Sequence, residues 1–224
     1  MPRTIVFDVN ETLLDLRALE APFEAVFGDP EARTAWFRTL LHQAMVTTIT
    51  GPYVDFSALG RQSLAVVADE RGHGLTDEEA ATILGAMREL PPHEDVEDAL
   101  AYLHDAGLQL VALSNGVPDV LHDQLDHAGL ADAFAHIISV DAAGRLKPAP
   151  EPYETVAREL GVETSDLRMV AAHAWDTTGA QRAGCAAAFV ARPGKRLAPS
   201  DPVPDVVGGD LRDVARQIVA VETR

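Results

Sequence analysis

From His93 onward, short apolar runs alternate with stretches of helical pattern, and this alternation constrains the fold more than any other feature. Apolar runs bounded by turn residues indicate buried strands, and strands separated by helices build a parallel sheet. We expect strands at residues 108–113, 136–140, 167–171 and 186–191, with a short edge strand at 206–207. The predicted fold class is α/β, with a Rossmann-like, doubly wound parallel sheet as its core.

The first apolar run, residues 4–7, is rich in β-branched and aromatic residues and ends directly on Asp8. This composition predicts a buried strand. In parallel sheets, ligands bind at the carboxyl ends of the strands, so Asp8 is placed where chemistry usually occurs. An aspartate at a strand end can also serve only as a cap or turn residue.

Between this strand and His93, the chain shows helical patterns and no strand pattern. We expect helices at residues 18–27, 31–45, 56–70 and 76–89, the last opened by a capping box from Thr76 to Glu79. The predicted division is therefore a core of residues 1–14 and 93–224, with a helical cap of residues 15–92 inserted after the first strand. Such an insertion emerges at the ligand-binding face and can cover it, although a packing appendage is the plain alternative.

Composition limits the partners that this chain can have. A formal net charge of −17 argues against nucleic acid, which requires a basic surface. No apolar run is long enough for a membrane helix, and no signal peptide precedes the first strand. The single cysteine, Cys185, suits the reducing cytoplasm. We expect a cytoplasmic protein that binds a small anionic substrate through local cations. A homodimer is compatible with the sequence, which does not determine the oligomeric state.

Polar side chains recur at four predicted strand ends. Each has an ordinary structural explanation by itself: serine before Asn-Gly makes turns, and single lysine or histidine residues are usually solvated or structural. Their convergence on one edge of a parallel sheet instead indicates an active site. The residues concerned are Asp8, Ser114, Asn115, Lys147, His173 and Asp176.

These segments resemble the four motifs of the haloacid dehalogenase superfamily, and the helical insertion resembles its cap. The matching segments are Asp8-Val9-Asn10-Glu11-Thr12, Leu113-Ser114-Asn115-Gly116, Lys147-Pro148 and Ala174-Trp175-Asp176. Within the superfamily, the last three segments and Tyr153 look most like the L-2-haloacid dehalogenases. The resemblance covers nearly the whole chain.

The resemblance implies a hydrolase that converts small 2-haloalkanoic acids to 2-hydroxy acids through an aspartyl ester on Asp8. It assigns Thr12, Lys147 and Asp176 to holding the nucleophile and orienting water. It assigns the substrate and the halide to Asn10, Arg38, Ser114, Asn115, Tyr153 and Trp175, with Tyr53 and Phe56 as further candidates for an apolar wall. No cofactor and no metal ion is implied.

Two positions distinguish the predicted dehalogenase from a phosphatase of the same superfamily. Superfamily phosphatases carry a second aspartate two residues after the nucleophile as the general acid, and here that residue is Asn10. They also hold Mg²⁺ with an acidic residue four positions before the last aspartate, and here that residue is Ala172. A halide needs no proton to leave, so these losses do not impair displacement at carbon. A phosphatase and a non-catalytic binder of small carboxylates remain the alternatives.

Three positions depart from the dehalogenase pattern. Asn10 stands where the family usually has tyrosine, and Ala171 and His173 stand where it commonly has serine and asparagine. A histidine three residues before Asp176 could position or activate the hydrolytic water near neutral pH, or it could be an inert spacer. These departures leave the preferred substrate open.

Overall fold

A computed structural model describes residues 2–223 of the chain. Within them, six parallel strands form one sheet in the order β3-β2-β1-β4-β5-β6. The strands are β1 (Thr4–Phe7), β2 (Leu110–Ser114), β3 (His136–Ser139), β4 (Leu167–Ala171), β5 (Ala186–Val190) and β6 (Val206–Gly208). The predicted α/β class with a parallel sheet is confirmed.

The central strand β1 is fully buried, and its two neighbours come from distant parts of the chain. Phe7 pairs with Ala112 of β2 on one side and with Val170 of β4 on the other. The chain extends the sheet first through β2 and β3 and then, from the other side of β1, through β4 to β6. Residues that follow β1, β2 and β4 therefore meet at one edge, at the point where ligands bind in such sheets.

Four α-helices lie between β1 and the core helix that precedes β2. They are α1 (Glu20–Phe27), α2 (Ala32–Thr50), α3 (Phe56–Glu70) and α4 (Asp77–Ala86). The capping box of α4 is present, because Thr76 and Glu79 exchange hydrogen bonds between side chain and backbone. Five further helices flank the sheet, namely α5 (Val96–Asp105), α6 (Pro118–His127), α7 (Pro150–Leu160), α8 (Ala174–Arg182) and α9 (Leu211–Glu222).

Helix α2 continues to Thr50, five residues beyond its predicted end. The extension is rich in β-branched residues, whose intrinsic helix propensity is below that of alanine. Packing overrides this preference, because Thr48 is buried and α2 lies against α3. The two helices also share a hydrogen bond in which the Trp36 indole donates to the carbonyl of Gly60 at 2.9 Å.

Two features noted in the sequence, the single cysteine and the length of the apolar runs, can be compared with the structure. Cys185 is buried, and burial followed by the charge of Asp176 raises the pKa of its thiol to about 12, so it remains a neutral core side chain. Within residues 2–223, no helix is long and apolar enough to cross a membrane.

Candidate active site

Asp8 follows β1 directly and is 5% exposed, and both of its carboxylate oxygens are hydrogen-bonded. The Thr12 hydroxyl donates to Oδ2 at 2.6 Å, and the Lys147 ammonium donates to Oδ1 at 2.9 Å. Thr12 is itself fixed, because its Oγ1 accepts the backbone N–H of Ala172 at 2.9 Å. The carboxylate is therefore held in one orientation by groups from the segment after β1, from the segment after β4 and from the loop before α7.

Lys147 is fully buried, and its ammonium has three acceptors for its three protons. These are Asp8 Oδ1, Asp176 Oδ2 at 2.7 Å and the carbonyl of Leu113 at 3.0 Å. Burial alone would lower the pKa of Lys147, but the two carboxylates outweigh it and raise the pKa, so the side chain stays charged. Burial and the charge of Asp8 raise the pKa of Asp176 against the attraction of Lys147.

Tyr153, in α7, links that helix to the first turn of α8 through a hydrogen bond to Asp176. Its hydroxyl donates to Asp176 Oδ1 at 2.6 Å, and burial together with the charge of Asp176 raises the pKa of the phenol well above its usual value. Tyr153 is thus a neutral donor that fixes the second carboxylate. Gly179 makes the approach possible: a Cβ on it would lie 2.8 Å from the Tyr153 hydroxyl and 2.6 Å from Cβ of Pro148.

The turn after β2 directs two donors to the same edge of the sheet. The side-chain oxygen of Asn115 accepts the backbone N–H of Lys147 at 2.9 Å, which leaves the amide NH₂ group free to donate elsewhere. Ser114 Oγ accepts the backbone N–H of Gly116 at 3.0 Å, which leaves the hydroxyl proton free. Both side chains are buried.

The side chain of Asn10 is hydrogen-bonded to α6 rather than to Asp8. Its side-chain oxygen accepts from Gln124 at 3.1 Å, and Gln124 also donates to the carbonyl of Met87 at 2.7 Å. Asn10 lines a small, mainly apolar cavity of about 60 Å³, together with Phe56 and Trp36. The other predicted wall residue, Tyr53, instead hydrogen-bonds to Asp141, and burial followed by this hydrogen bond raises the pKa of its phenol.

A larger cavity of about 410 Å³ separates α2 from the loops at the sheet edge. The predicted residues His173, Trp175 and Arg38 all line it. Arg38 is exposed, whereas the neighbouring Phe37 is buried and packs with its ring centroid 6.2 Å from that of His173. The full lining is Glu11, Arg33, Thr34, Phe37, Arg38, Leu41, His173, Trp175, Pro193, Gly194 and Lys195.

Glu11 is a site residue that the sequence did not single out. Its carboxylate is within 3.2 Å of His173 Nε2 and forms an ion pair with Lys195. Burial alone would raise the pKa of Glu11, but the hydrogen bond with His173 and the charge of Lys195 lower it to about 2. Its position between Asn10 and Thr12 was the only available signal, since His173 and Lys195 come from remote parts of the chain.

Arg192 is a second residue that was missed. Its guanidinium donates to the carbonyl of Thr12 at 2.9 Å and forms a buried ion pair with Asp95 at 2.7 Å. It therefore fastens the nucleophile loop to the N-terminus of α5. An arginine after the last long strand carries no sequence signal for this contact, because its partners lie 180 and 97 positions away.

The predicted site residues divide into three groups by their contacts. One hydrogen-bonded cluster joins Asp8, Thr12, Lys147, Tyr153 and Asp176, and the Ser114-Asn115 turn is attached to it through Lys147. His173 and Trp175 pack together beside it, with ring centroids 5.1 Å apart. Asn10 and Arg38 lie at the edges of this arrangement. Among residues 2–223, no three His, Cys, Asp or Glu side chains are grouped as metal ligands would be.

The parallel sheet and the buried Asp8–Lys147–Asp176 cluster at its carboxyl edge define a hydrolase with a Rossmann-like core. The family model for haloacid dehalogenase-like hydrolases matches residues 2–184, and the chain belongs to this family. The family resemblance of the sequence motifs is thereby confirmed.

Three known proteins show how far the similarity extends. An (S)-2-haloacid dehalogenase of Pseudomonas sp. (strain YL) is 30% identical over 212 residues, covering 94% of this chain and 91% of that protein. A second, from Xanthobacter autotrophicus, is 34% identical over 194 residues, covering 86% and 76% respectively. A solved L-2-haloacid dehalogenase from Xanthobacter autotrophicus, with chloropropionic acid covalently bound, superposes with a TM-score of 0.92, at 29% identity and over 99% of this chain and 100% of the other.

Proposed function

We propose that this enzyme hydrolyses small 2-haloalkanoic acids to 2-hydroxy acids through an ester on Asp8. The observation that carries the proposal is the carboxylate of Asp8, which Lys147 and Thr12 orient through hydrogen bonds at the sheet edge. An oriented carboxylate is a competent nucleophile. The covalent chloropropionic acid in the Xanthobacter autotrophicus relative supports the same chemistry in this family.

In the first half-reaction, an oxygen of Asp8 attacks C2 of the substrate from the face opposite the halogen. The carbon–oxygen bond forms as the carbon–halogen bond breaks, and the halide leaves with the bonding electron pair. This step needs no general acid, because the halide leaves without a proton. Asn10, which cannot donate a proton as an aspartic acid would, therefore does not slow it. Backside attack inverts C2, so an L substrate gives a D product.

In the second half-reaction, water attacks the carboxyl carbon of Asp8, and the 2-hydroxy acid leaves. Lys147 and Thr12 hold the ester in the orientation in which they held the carboxylate. Asp176 and His173 lie on the segment that follows β4, and we assign them to orienting and activating this water. His173 suits the role because imidazole exchanges protons near neutral pH.

The substrate is an anion, and the chain has a net charge of −17. The substrate carboxylate and the departing halide therefore need positive charges or hydrogen-bond donors close by. We assign the carboxylate of the substrate to the free hydroxyl of Ser114 and adjacent backbone N–H groups. The free amide of Asn115 and the guanidinium of Arg38 are assigned to the departing halide. Arg38 lines the 410 Å³ cavity and has no ion-pair or hydrogen-bond partner among residues 2–223, so its charge is available.

We further propose that residues 15–92 act as a cap over a core made of residues 1–14 and 93–224. Their helix α2 contributes Arg38 and Phe37 to the cavity beside His173, which supports the assignment. Trp175 and Tyr153 would complete the site from the core side. The reaction is proposed to need no metal ion, because Lys147 already supplies the positive charge between Asp8 and Asp176. The cytoplasmic location and the homodimer stay predictions.

A single turnover in ¹⁸O-water, with enzyme in excess over L-2-chloropropionate, tests the proposal. Attack by Asp8 places a carboxylate oxygen in the product, so the first 2-hydroxy acid should be unlabelled and the Asp8 peptide should carry the label. Asp8→Asn should abolish halide release, because an amide is a far poorer nucleophile. Heavy oxygen in the first product, with none on Asp8, would show that Asp8 acts only as a base.

A parallel assay with small phosphomonoesters separates the proposal from the phosphatase alternative. Halide release from 2-haloacids without phosphate release supports the dehalogenase. Phosphate release that requires Mg²⁺, without halide release, would replace it.

A further inference from the structure

Glu11 has a backbone conformation that residues with a side chain rarely adopt. Its φ angle is +64°, and it is the only non-glycine residue with a positive φ in residues 2–223. Backbone contacts fix it there: its N–H donates to the carbonyl of Leu14 at 2.9 Å, and its own carbonyl lies 3.3 Å from Nε2 of His93. Such conformations persist where the surroundings enforce them, and they concentrate at functional sites.

This conformation brings the Glu11 carboxylate to one particular nitrogen of His173. Nε2 of His173 is 3.2 Å from Glu11 Oε2, whereas Nδ1 has no hydrogen-bond partner among the residues described. The ring is held on its other sides, because Phe37 and Trp175 pack against it with centroids at 6.2 and 5.1 Å. A carboxylate favours a protonated nitrogen facing it, so we expect the neutral ring to carry its proton on Nε2 and its lone pair on Nδ1.

Lys195 balances the charge of Glu11. Its ammonium pairs with the same Oε2 atom that faces His173, and both residues line the cavity beside the ring. The Glu11–Lys195 pair is neutral as a whole, so the carboxylate orients the imidazole without demanding a permanent imidazolium. The low pKa of Glu11 agrees with a carboxylate that remains an acceptor at every physiological pH.

We propose that Glu11 is a positioning residue for the hydrolytic half-reaction, fixing His173 with its proton on Nε2 and its Nδ1 lone pair free to accept a proton from water. This inference rests on the proposed dehalogenase function and extends it to a residue of the first motif to which the family resemblance gave no role. In the Ser-His-Asp triad, the carboxylate binds the proton on Nδ1 and Nε2 acts as the base. Here the two nitrogens exchange these roles, but a carboxylate again fixes which nitrogen carries the proton.

Water adds to the carboxyl carbon of the Asp8 ester while one of its protons moves to Nδ1 of His173. The bond between that carbon and the oxygen of the substrate then breaks, and the proton on Nδ1 passes to the departing alkoxide to give the 2-hydroxy acid. The second proton of the water is lost to solvent, and Asp8 is again a carboxylate.

The test compares Glu11→Gln with a matched control, Glu79→Gln. Glu79 also lies 3.3 Å from a histidine nitrogen, that of His73, but the pair is on α4 of the cap. With L-2-chloropropionate in rapid-mixing experiments, Glu11→Gln should release the first equivalent of halide within about twofold of the wild-type rate. Breakdown of the Asp8 ester, followed by intact-protein mass, should slow by about 10- to 100-fold, a part of the 10²–10⁴ that a general base supplies. Glu79→Gln should change neither step.

Nitrogen-15 NMR of the His173 ring in the ligand-free protein provides a readout that needs no turnover. Wild type should show the neutral ring protonated on Nε2, and Glu11→Gln should shift the ring toward a mixture of tautomers, while Glu79→Gln keeps the wild-type pattern. Equal slowing of both half-reactions in Glu11→Gln, or an unchanged ester lifetime, would overturn the inference.

Failure of the proposed function has a different signature. If the wild type releases no halide and forms no ester, the dehalogenase assignment is wrong, and the NMR comparison alone decides the positioning claim. A ring state that is identical in wild type and Glu11→Gln would then refute it.

Discussion

Lys147 Nζ lies 2.9 Å from Oδ1 of Asp8, although the two residues are 139 positions apart in the chain. The contact exists because β1 and β2 are neighbours, so the turn after β2 and the loop before α7 both close over the end of β1. With Asp176 on its other side, the ammonium holds two buried carboxylates at fixed positions. The same bond thus stabilises the fold and orients the nucleophile.

Replacing Lys147 by methionine should impair activity and stability together. The volume is nearly kept, but Asp8 and Asp176 lose their shared cation. Removing one partner of a buried ion pair costs about 3–5 kcal/mol of unfolding free energy, and losing one oriented donor costs about 10²–10³ in turnover. Urea denaturation and halide release measure the two effects.

The control for this substitution is Arg196→Met, which removes one cation from an exposed side chain. It should leave both quantities close to those of wild type. A Lys147→Met protein that retains normal turnover would show that the Asp8 carboxylate needs no buried cation.

The two arginines that line the large cavity from α2 should differ in their effect on the halide step. Arg38 has no partner within the described chain, whereas Arg33 lies 3.5 Å from Glu20 in a partial ion pair. We expect Arg38→Ala to slow halide release in the first turnover by about 10²-fold, the loss typical of one donor to developing charge. Arg33→Ala should have a smaller effect.

The reverse order, with Arg33→Ala the more damaging, would move the halide site by about one and a half turns along α2. Stopped-flow measurement of halide release from chloro- and bromopropionate in both variants distinguishes the two arrangements. Bromide leaves more easily, so the variant that has lost the halide-binding cation should slow chloride release more than bromide release.

Turnover should survive exhaustive chelation. Asn10 and Ala172 remove two of the groups that a Mg²⁺-dependent phosphatase uses, and Lys147 stands between the two carboxylates that would otherwise bind the ion. Halide release is measured before and after dialysis against EDTA, and again after Mg²⁺ is added. A large loss that Mg²⁺ restores would refute the metal-free mechanism.

The motif residues could be predicted because local sequence determines where each strand ends. Asp8 and Ser114 come at the ends of apolar runs and Asp176 follows five residues after the end of another, and parallel strands bring their carboxyl ends to one edge. The cluster of Asp8, Thr12, Lys147, Tyr153 and Asp176 is therefore what the strand pattern and the family resemblance together predict.

The remaining contacts depend on how helices and strands pack against one another, and no local sequence pattern predicts this packing. Nothing in the order of residues indicates that Gln124 bonds to Asn10, or that Phe37 rather than Arg38 covers His173. The length of α2 was also underestimated, since its β-branched last turns are helical only because they pack against α3. Such features depend on how helices α1 to α4 are placed relative to the sheet.

Acid should remove a part of the stability that depends on Glu11. Its pKa is lowered from 4.5 to about 2, so the ionised carboxylate stabilises the folded state above pH 4.5, and this contribution is lost as the pH falls toward 2. This lowering of the pKa corresponds to about 3 kcal/mol at neutral pH, because a pKa change of one corresponds to about 1.36 kcal/mol. Unfolding free energies of wild type and Glu11→Gln should differ by about this amount at pH 7, and by progressively less at pH 4 and pH 3. A constant difference across this range would show that the carboxylate is not preferentially stabilised in the fold.

Gly179 should tolerate no side chain, although it lies in the helix α8, where alanine is normally favoured. A Cβ at this position would lie 2.6 Å from Cβ of Pro148, 2.7 Å from the Pro148 carbonyl and 2.8 Å from the Tyr153 hydroxyl. Relief of these contacts would displace the loop that carries Lys147. Gly85 in α4 is the matched control, because its Cβ would meet no atom within 4 Å.

We therefore expect Gly85→Ala to stabilise the protein by about 0.5–1 kcal/mol, the gain from replacing glycine within a helix. Gly179→Ala should instead destabilise it by about 1–3 kcal/mol, as overpacking does, and should lower the rate of ester formation because Lys147 and Tyr153 shift relative to Asp8. Thermal unfolding and first-turnover halide release measure both variants. If Gly179→Ala gained stability as Gly85→Ala does, the close approach of α8 to the Lys147–Pro148 loop would not be needed to hold the site.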